Sequence, residues 1–294
     1  MSAPTRSGFI ALAGRPNVGK STLANAIVGA KVAIVSDKPQ TTRRAIRGVA
    51  SGPDWQLVLV DLPGVQRPRD ALTTRMQRRV EQELEDADGC LFVVNAQEGI
   101  GPGDRFIATL LKPAQIPVVI AVNKVDRADR AGMAAALQAA AELDVAEEIF
   151  PVSARTGSGV PALVDSLVGL LSSGPFYFEP RQLSDQPERV WLAELIREQV
   201  LARTREEVPH AVEVVVEGVE RGEPIRIEAV ILAETESQKR ILIGAGGQMV
   251  KSIGIAARRA IEREVGERVH LALSVRVRRH WRADEQLLDR LGIE

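Results

Sequence analysis

The chain has 294 residues, 45% of them hydrophobic, with 38 Lys and Arg against 39 Asp and Glu. That is about twice the length of one domain, with apolar content for two packed cores. The single cysteine, Cys90, excludes an intramolecular disulfide, and no stretch reaches the roughly 18 uninterrupted apolar residues of a membrane span. Cys90 stands in the apolar run "CLFVV" and reads as a buried strand residue, which suits a reducing compartment. The opening "MSAPTRSG" lacks the apolar core of a signal peptide, so a soluble cytoplasmic protein is expected.

From residue 9 to about 171, short apolar runs alternate with helical patterns. "FIALA", "LVLVD", "CLFVVN" and "PVVIAVN" read as strands buried on both faces. The alternation predicts an α/β fold with a mixed, mostly parallel sheet and function at the carboxyl ends of its strands. Residues 173 to 189 gather Gly, Pro, Ser and charge without period and read as a linker between domains at 7–172 and 190–294. A helix near 190–206 follows, then strands "AVEVVVEGV" and "IRIEAVILAE" joined by "ERGEP". Next come a helix, a glycine turn and a second helix, then the strand "VHLALSVRVR" and a short helix near 284–291. This is a small α+β unit. Its charge is uneven: residues 181–238 carry 7 cations against 13 anions, and residues 239–282 carry 11 against 3, an excess that suits a polyanion partner.

"GRPNVGKS", residues 14–21, follows a strand and opens a helical pattern, as a phosphate-binding loop requires. Backbone N–H groups from Gly14 through Asn17, Val18 and Gly19 to Thr22, with the helix dipole, would hold phosphates. Lys20 would neutralise their charge and the Ser21 hydroxyl would ligate Mg²⁺. In "DLPG", Asp61 ends a strand within reach of that ion through water, and Gly64 offers an N–H to the terminal phosphate. "NKVD" ends another strand. Asp126 would accept the guanine N1 and N2 donors that adenine lacks, Asn123 would serve the other edge, and the Lys124 stem would pack along the ring. In "SAR", Ser153 precedes Ala154, whose N–H is expected to serve the guanine oxygen.

In this order the boxes resemble the translation-factor-related GTPases. The resemblance favours Thr42 of "QTTR", over Thr41, as the switch hydroxyl on Mg²⁺ in the GTP state. Lys20, Thr42, Asp61 and Gly64 are then the expected catalytic set, with Ser21, Thr42 and Asp61 holding the metal. Val65 stands where many GTPases carry the glutamine that orients the attacking water, so slow intrinsic hydrolysis is expected, with a K⁺ ion near Asn17 as a candidate helper.

The second glycine turn, within "ILIGAGGQMVKS", lacks a Gly-Lys-Ser triplet and follows a helix, so it is no second phosphate loop. Helix, glycine turn and helix beside three strands instead resemble a type II KH domain. Its GxxG loop would be Gly244, Ala245, Gly246 and Gly247, flanked by Ile243, Lys251 and Arg258, and would let an RNA backbone approach closely. With 3% aromatic residues, base recognition would lean on "ILI", Val250 and Ile253. With "EVPHAV" at 207–212, the chain resembles the Era family of bacterial GTPases from about residue 7 to 292. The resemblance implies GTP and GDP as ligands and binding of small-subunit ribosomal RNA near its 3′ end. It also implies a role in assembly of the 30S subunit. Two positions depart from the family's habit: Leu62 stands in place of Thr, and Ala245 in place of a basic residue that Lys239, Lys251, Arg258 and Arg259 could replace. A monomer is expected, since no heptad repeat is visible. Peripheral association with the inner face of the cell membrane, and an RNA-binding scaffold with an idle nucleotide site, stay open. His210, His270 and His280 lack metal-ligand spacing and are assigned no chemistry; Trp281 is expected to pack on the last helix.

Overall fold

The structure, a computed structural model, describes residues 5–65 and 70–293. Met1 to Pro4, part of the stretch judged against a signal peptide, lie outside them, as does Glu294, the end of the second expected domain. Two compact units are present. The first takes in residues up to Asp185 apart from Ser36–Pro39 and Asp70–Leu72; the second comprises Gln186 onward with those two short pieces.

In chain order the first unit runs β1 (Arg6–Ala13), α1 (Lys20–Val28), β2 (Ile46–Ser51), β3 (Trp55–Asp61), α2 (Ala71–Glu85) and β4 (Gly89–Asn95). It continues with α3 (Pro102–Leu111), β5 (Val118–Asn123), α4 (Arg130–Ala141), β6 (Glu148–Pro151), α5 (Val160–Gly169) and β7 (Ser172–Ser173). The sheet order is β2-β3-β1-β4-β5-β6, with the short β7 also on β1. All pairings are parallel except β2 with β3 and β7 with β1. Every residue of β4 and β5 is buried, because helices cover both faces of the sheet; this is why their sequences run continuously apolar instead of alternating. β1 pairs with β3 on one side and β4 on the other, so the chain's connections diverge at its carboxyl end. Loops leaving β1, β3 and β5 there carry the glycine loop, the "DLPG" box and the "NKVD" box, the usual place for a ligand in an open α/β sheet.

The stretch expected as a linker is anchored over much of its length. The Val49 amide donates to the Leu183 carbonyl (2.8 Å), and Arg47 Nη1 lies 3.0 Å from Asp185 Oδ2. Gln56, fully buried, accepts at Oε1 from the Tyr177 and Phe178 amides (2.8 and 2.9 Å) and donates from Nε2 to the Phe178 carbonyl (2.9 Å). One amide side chain thus replaces the ladder of a strand, and residues up to Asp185 belong to the first unit.

The second unit comprises α6 (Glu188–Arg203), α7 (Val208–Ala211), β8 (Glu213–Glu220), β9 (Ile225–Ala233), α8 (Glu236–Ile243), α9 (Gln248–Val265), β10 (Val269–Val277) and α10 (Glu285–Arg290). α6 stops three residues before the sequence suggested: Thr204 is extended, and its hydroxyl donates back to the Val200 carbonyl. β8 and β9 pair antiparallel, β9 and β10 parallel, in the order β10-β9-β8. α8 starts with a capping box: Thr235 Oγ1 accepts from the Gln238 amide and Gln238 Oε1 from the Thr235 amide. The core joins Leu195, Ile196 and Val200 of α6, Ile227 and Ile231 of β9, Leu242 of α8 and Ile253, Ala257 and Ile261 of α9. Buried within it, Arg197 is paired with Glu194 at 2.6 Å and lies 3.9 Å from Glu213. Trp281 is also buried; its indole N–H donates to the Ala211 carbonyl, so it seals the start of β8 as well as the end of the chain.

Candidate nucleotide site and nucleic-acid groove

Gly19 ends the first glycine loop with φ +100°, and a Cβ there would stand 2.4 Å from Asn123 Nδ2, so only glycine passes. Lys20 then opens α1 and is 6% exposed. Its ammonium donates to the Gly14 and Arg15 carbonyls at 3.0 and 3.1 Å. Burial pulls its pKa down to about 8, against the opposing pull of Asp61.

Three side chains from separate segments meet beside it. Ser21 Oγ donates to Asp61 Oδ2 at 2.6 Å, and Thr42 Oγ1 lies 3.1 Å from Ser21 Oγ and 3.3 Å from the same carboxylate oxygen. Thr41 is buried as well, but it is the Thr42 hydroxyl that joins the cluster. Asp61 is 1% exposed, its Oδ1 has no hydrogen-bond partner, and burial raises its pKa, with Lys20 and the two hydroxyls lowering it. A buried carboxylate oxygen left over beside two hydroxyls fits a hard divalent cation, so Ser21, Thr42 and Asp61 suit Mg²⁺. Gly64 lies against the glycine loop: a Cβ would come within 2.9 Å of Pro16 Cγ. Leu62 and Val65 are both buried in the sheet's apolar core, so the side chain at the usual glutamine position faces no phosphate.

The base end is a pocket of about 230 Å³ lined by Gly19, Thr22, Asn123, Lys124, Asp126 and Ala154, together with Arg127 and Arg155. Asn123, 1% exposed, ties three loops: Nδ2 donates to the Val18 carbonyl (3.0 Å), while Oδ1 accepts from the Lys124 and Ala154 amides (2.8 and 3.0 Å). The Ala154 N–H thus donates to Asn123 at the pocket wall, and Asn123 braces the loops that line the pocket. Lys124, in the left-handed region, donates from Nζ to the Asn17 carbonyl at 2.6 Å, bridging the two loops beside the pocket. Asp126 is exposed and accepts at Oδ1 from Ser153 Oγ (2.7 Å), which aims the carboxylate.

Sequence reasoning missed the role of Arg15. Its Nε lies 2.7 Å from Oδ2 of Asp104, a fully buried carboxylate at the start of α3; Nη1 lies 3.5 Å from Glu98, and Nη2 donates to the Gly99 carbonyl at 3.3 Å. Gly103 makes room for the arginine stem, since a Cβ there would lie 2.7 Å from Arg15 Cδ. The only trace in the sequence is "GPGD", a glycine-flanked helix start with an acid at its third helical position.

In the second unit Ile243 ends α8 half-buried and the chain turns through Gly244–Gly247. Gly246 has φ +56°, and a Cβ there would meet nothing within 4 Å, so the backbone is open to solvent. Val250, Lys251, Gly254, Ile255 and Arg258 of α9 face Leu271 and Leu273 of β10 across a groove of about 280 Å³. This corrects the expectation: Ile253 and Leu242 are fully buried core residues, and β10 supplies the apolar wall in their place. Arg258 pairs with Glu262 at 3.1 Å, leaving Lys251 as the exposed cation at the groove. Arg276 and Arg278 pair with Glu217 and Asp284.

Fold and site define a P-loop GTPase joined to a KH domain. A family model described as 50S ribosome-binding GTPase matches residues 9–124, and a KH domain model matches residues 207–282. The chain is 45% identical to GTPase Era of Mycobacterium tuberculosis (strain H37Rv) and of Mycobacterium bovis (strain BCG / Pasteur 1173P2), covering 97% of this chain and 98% of each relative. Aquifex aeolicus Era bound to GDP·AlF4⁻ superposes with a TM-score of 0.93 at 34% identity, over 98% of this chain and 99% of that one. An Era structure in complex with MgGDPNP and nucleotides 1506-1542 of 16S ribosomal RNA gives 0.94 at the same identity and coverage. The chain belongs to the Era family of GTPases.

Proposed function

We propose that this chain binds GTP and GDP between its "GRPNVGKS", "DLPG" and "NKVD" loops. Hydrolysing GTP slowly, it binds small-subunit ribosomal RNA near its 3′ end through the KH groove, in cytoplasmic assembly of the 30S subunit. The observation that carries the RNA half is the open GxxG turn set against an apolar groove with Lys251 at its edge. The Era relative solved with 16S nucleotides supports the choice of RNA.

Mg²⁺ held by Ser21, Thr42 and Asp61 would screen the terminal phosphates and stabilise charge that develops on them. Lys20, already buried and cationic below about pH 8, adds a fixed charge at the same place, and its present carbonyl partners give way to phosphate oxygens. Gly64 presents its backbone N–H to the terminal phosphate. With Val65 in the core, no side chain at that position orients the attacking water, so catalysis rests on positioning and charge and is slow without an activator. A K⁺ ion beside Asn17 would add charge; equal hydrolysis in K⁺ and Na⁺ buffers would remove it from the mechanism.

The test is the affinity of an RNA copied from the 3′ end of the small-subunit ribosomal RNA, measured with GDP and with a non-hydrolysable GTP analogue. Tight binding that Gly246→Asp abolishes is expected, with affinities that differ between nucleotides. No binding in either state would refute the RNA assignment, and equal binding would refute coupling alone.

A further inference from the structure

No nucleotide box falls in the loop between β4 and α3, yet its own hydrogen bonds hold it in one shape. Asn95, 1% exposed at the end of β4, donates from Nδ2 to Glu98 Oε1 (2.8 Å) and accepts at Oδ1 from the Gln97 amide (2.9 Å), while its carbonyl accepts from the Gly99 amide (3.0 Å). The Ala96 amide donates to the Asn123 carbonyl at 2.8 Å, which ties the loop to the strand that leads into "NKVD". Fully buried Asp104 closes it by accepting from the Gly101 amide at 2.8 Å.

The loop spends these bonds on one outside residue. The Arg15 guanidinium meets Asp104, exposed Glu98 and the Gly99 carbonyl, and Gly103 leaves space for its stem. With two carboxylates beside it, Arg15 offers no free charge to a phosphate. Its backbone does the other half of the work: the Arg15 carbonyl, with that of Gly14, accepts from Lys20 Nζ. Gly14 is fixed through its backbone, since a Cβ there would stand 2.5 Å from the Val93 carbonyl of β4. Arg15 is fixed through its side chain. Thus β4 and the loop after it set both acceptors that hold the lysine.

We propose that Arg15 and Asp104 are a positioning pair for the phosphate loop: anchored on Asp104, Arg15 keeps the loop and the Lys20 ammonium in the arrangement that receives the terminal phosphates. A loop ordered in advance loses less freedom on binding, so the pair acts on affinity and not on the reacting atoms. Stability alone is a poor reason for it, because a buried ion pair often adds little over an apolar pair of the same volume. The inference rests on the nucleotide reading of the first unit. Unaltered protein that bound no GDP would sink that reading, whereas differences among variants decide the pair.

Asp104→Asn is the deciding variant, because it keeps an acceptor for the Gly101 amide and removes the charge that Arg15 pairs with. In the full-length protein, GDP is titrated by calorimetry and guanosine by amide shifts. The variant is expected to bind GDP about tenfold more weakly and guanosine equally well; in GTP hydrolysis KM should rise about tenfold with kcat within about twofold. Arg15→Gln should lose as much, and the double variant no more than either single one. Tighter GDP binding by Asp104→Asn would make Arg15 a phosphate-attracting cation that Asp104 masks. An equal loss of GDP and guanosine would mean general loosening, unchanged GDP affinity a purely structural pair, and a lower kcat at constant KM a role at the transition state. Each of these overturns the proposal. Should Asp104→Asn fail to fold, Gly103→Ala repeats the test with both charges in place, since its Cβ would stand 2.7 Å from Arg15 Cδ. A several-fold loss for GDP alone is expected, and no loss would again refute the pair.

Discussion

The two glycine-rich turns use the same residue for opposite purposes. At the first, glycine is required because the loop is closed in: Asn123 presses on Gly19 and Pro16 on Gly64. At the second, a side chain on Gly246 would meet nothing, and glycine leaves the backbone bare toward solvent. A small ligand held on all sides needs a cradle whose walls brace one another, whereas a polymer that passes across needs an open rim.

Four experiments can break or sharpen that contrast. If the wall behind the first loop is as tight as its burial suggests, Cys90 of β4 should be nearly inert. Burial pushes its thiol up from 9.0 to about 12, so at pH 8 the folded protein holds about a thousandfold less thiolate than the unfolded chain. Alkylation at the unfolded rate under native conditions would show that the wall opens. Next in size is Gly19→Ala, which strains φ and strikes Asn123; nucleotide affinity by titration should fall about a hundredfold or more while RNA affinity holds. Gly246→Asp is the mirror experiment. The φ of +56° at Gly246 strains any side chain, though Asp tolerates the left-handed region better than most, so the unfolding temperature should fall only modestly. A negative charge at the backbone path should meanwhile abolish tight RNA binding. A large loss of stability instead would mean that this turn too is closed. The smallest change is expected for Val65→Gln, whose slot lies in the apolar core: GTP hydrolysis should move by less than about threefold. A tenfold acceleration would show that the segment swings the side chain to the phosphates.

The nucleotide-site chemistry was legible because each box is local. A strand end, a glycine turn and a helix start bring Lys20 and Ser21 to one place within eight residues, and "DLPG" and "NKVD" are equally short. The RNA groove was half legible: the turn could be read, but the wall could not. "VHLALSVRVR" shows alternation without saying which face meets α9, and Ile253 looks as suitable for a groove as Leu271 until packing assigns it to the core. Arg197 was illegible for a related reason, since an arginine in "LAELIREQVL" reads as a helix surface until Glu213, sixteen residues on, turns out to lie on the same inward face.

What this sequence determined by itself is the order of its elements, the family and the residue types at each loop. Those depend on φ freedom, hydrophobic period and side-chain chemistry within a few positions of one another. Tertiary structure alone decided which distant groups became partners. Asn123 braces Val18 and Ala154, Asp104 holds Arg15, and Gln56 captures the backbone at Tyr177 and Phe178. Strand register and helix packing set those distances, and a one-residue slip in a strand would turn its inward face outward while leaving the composition untouched.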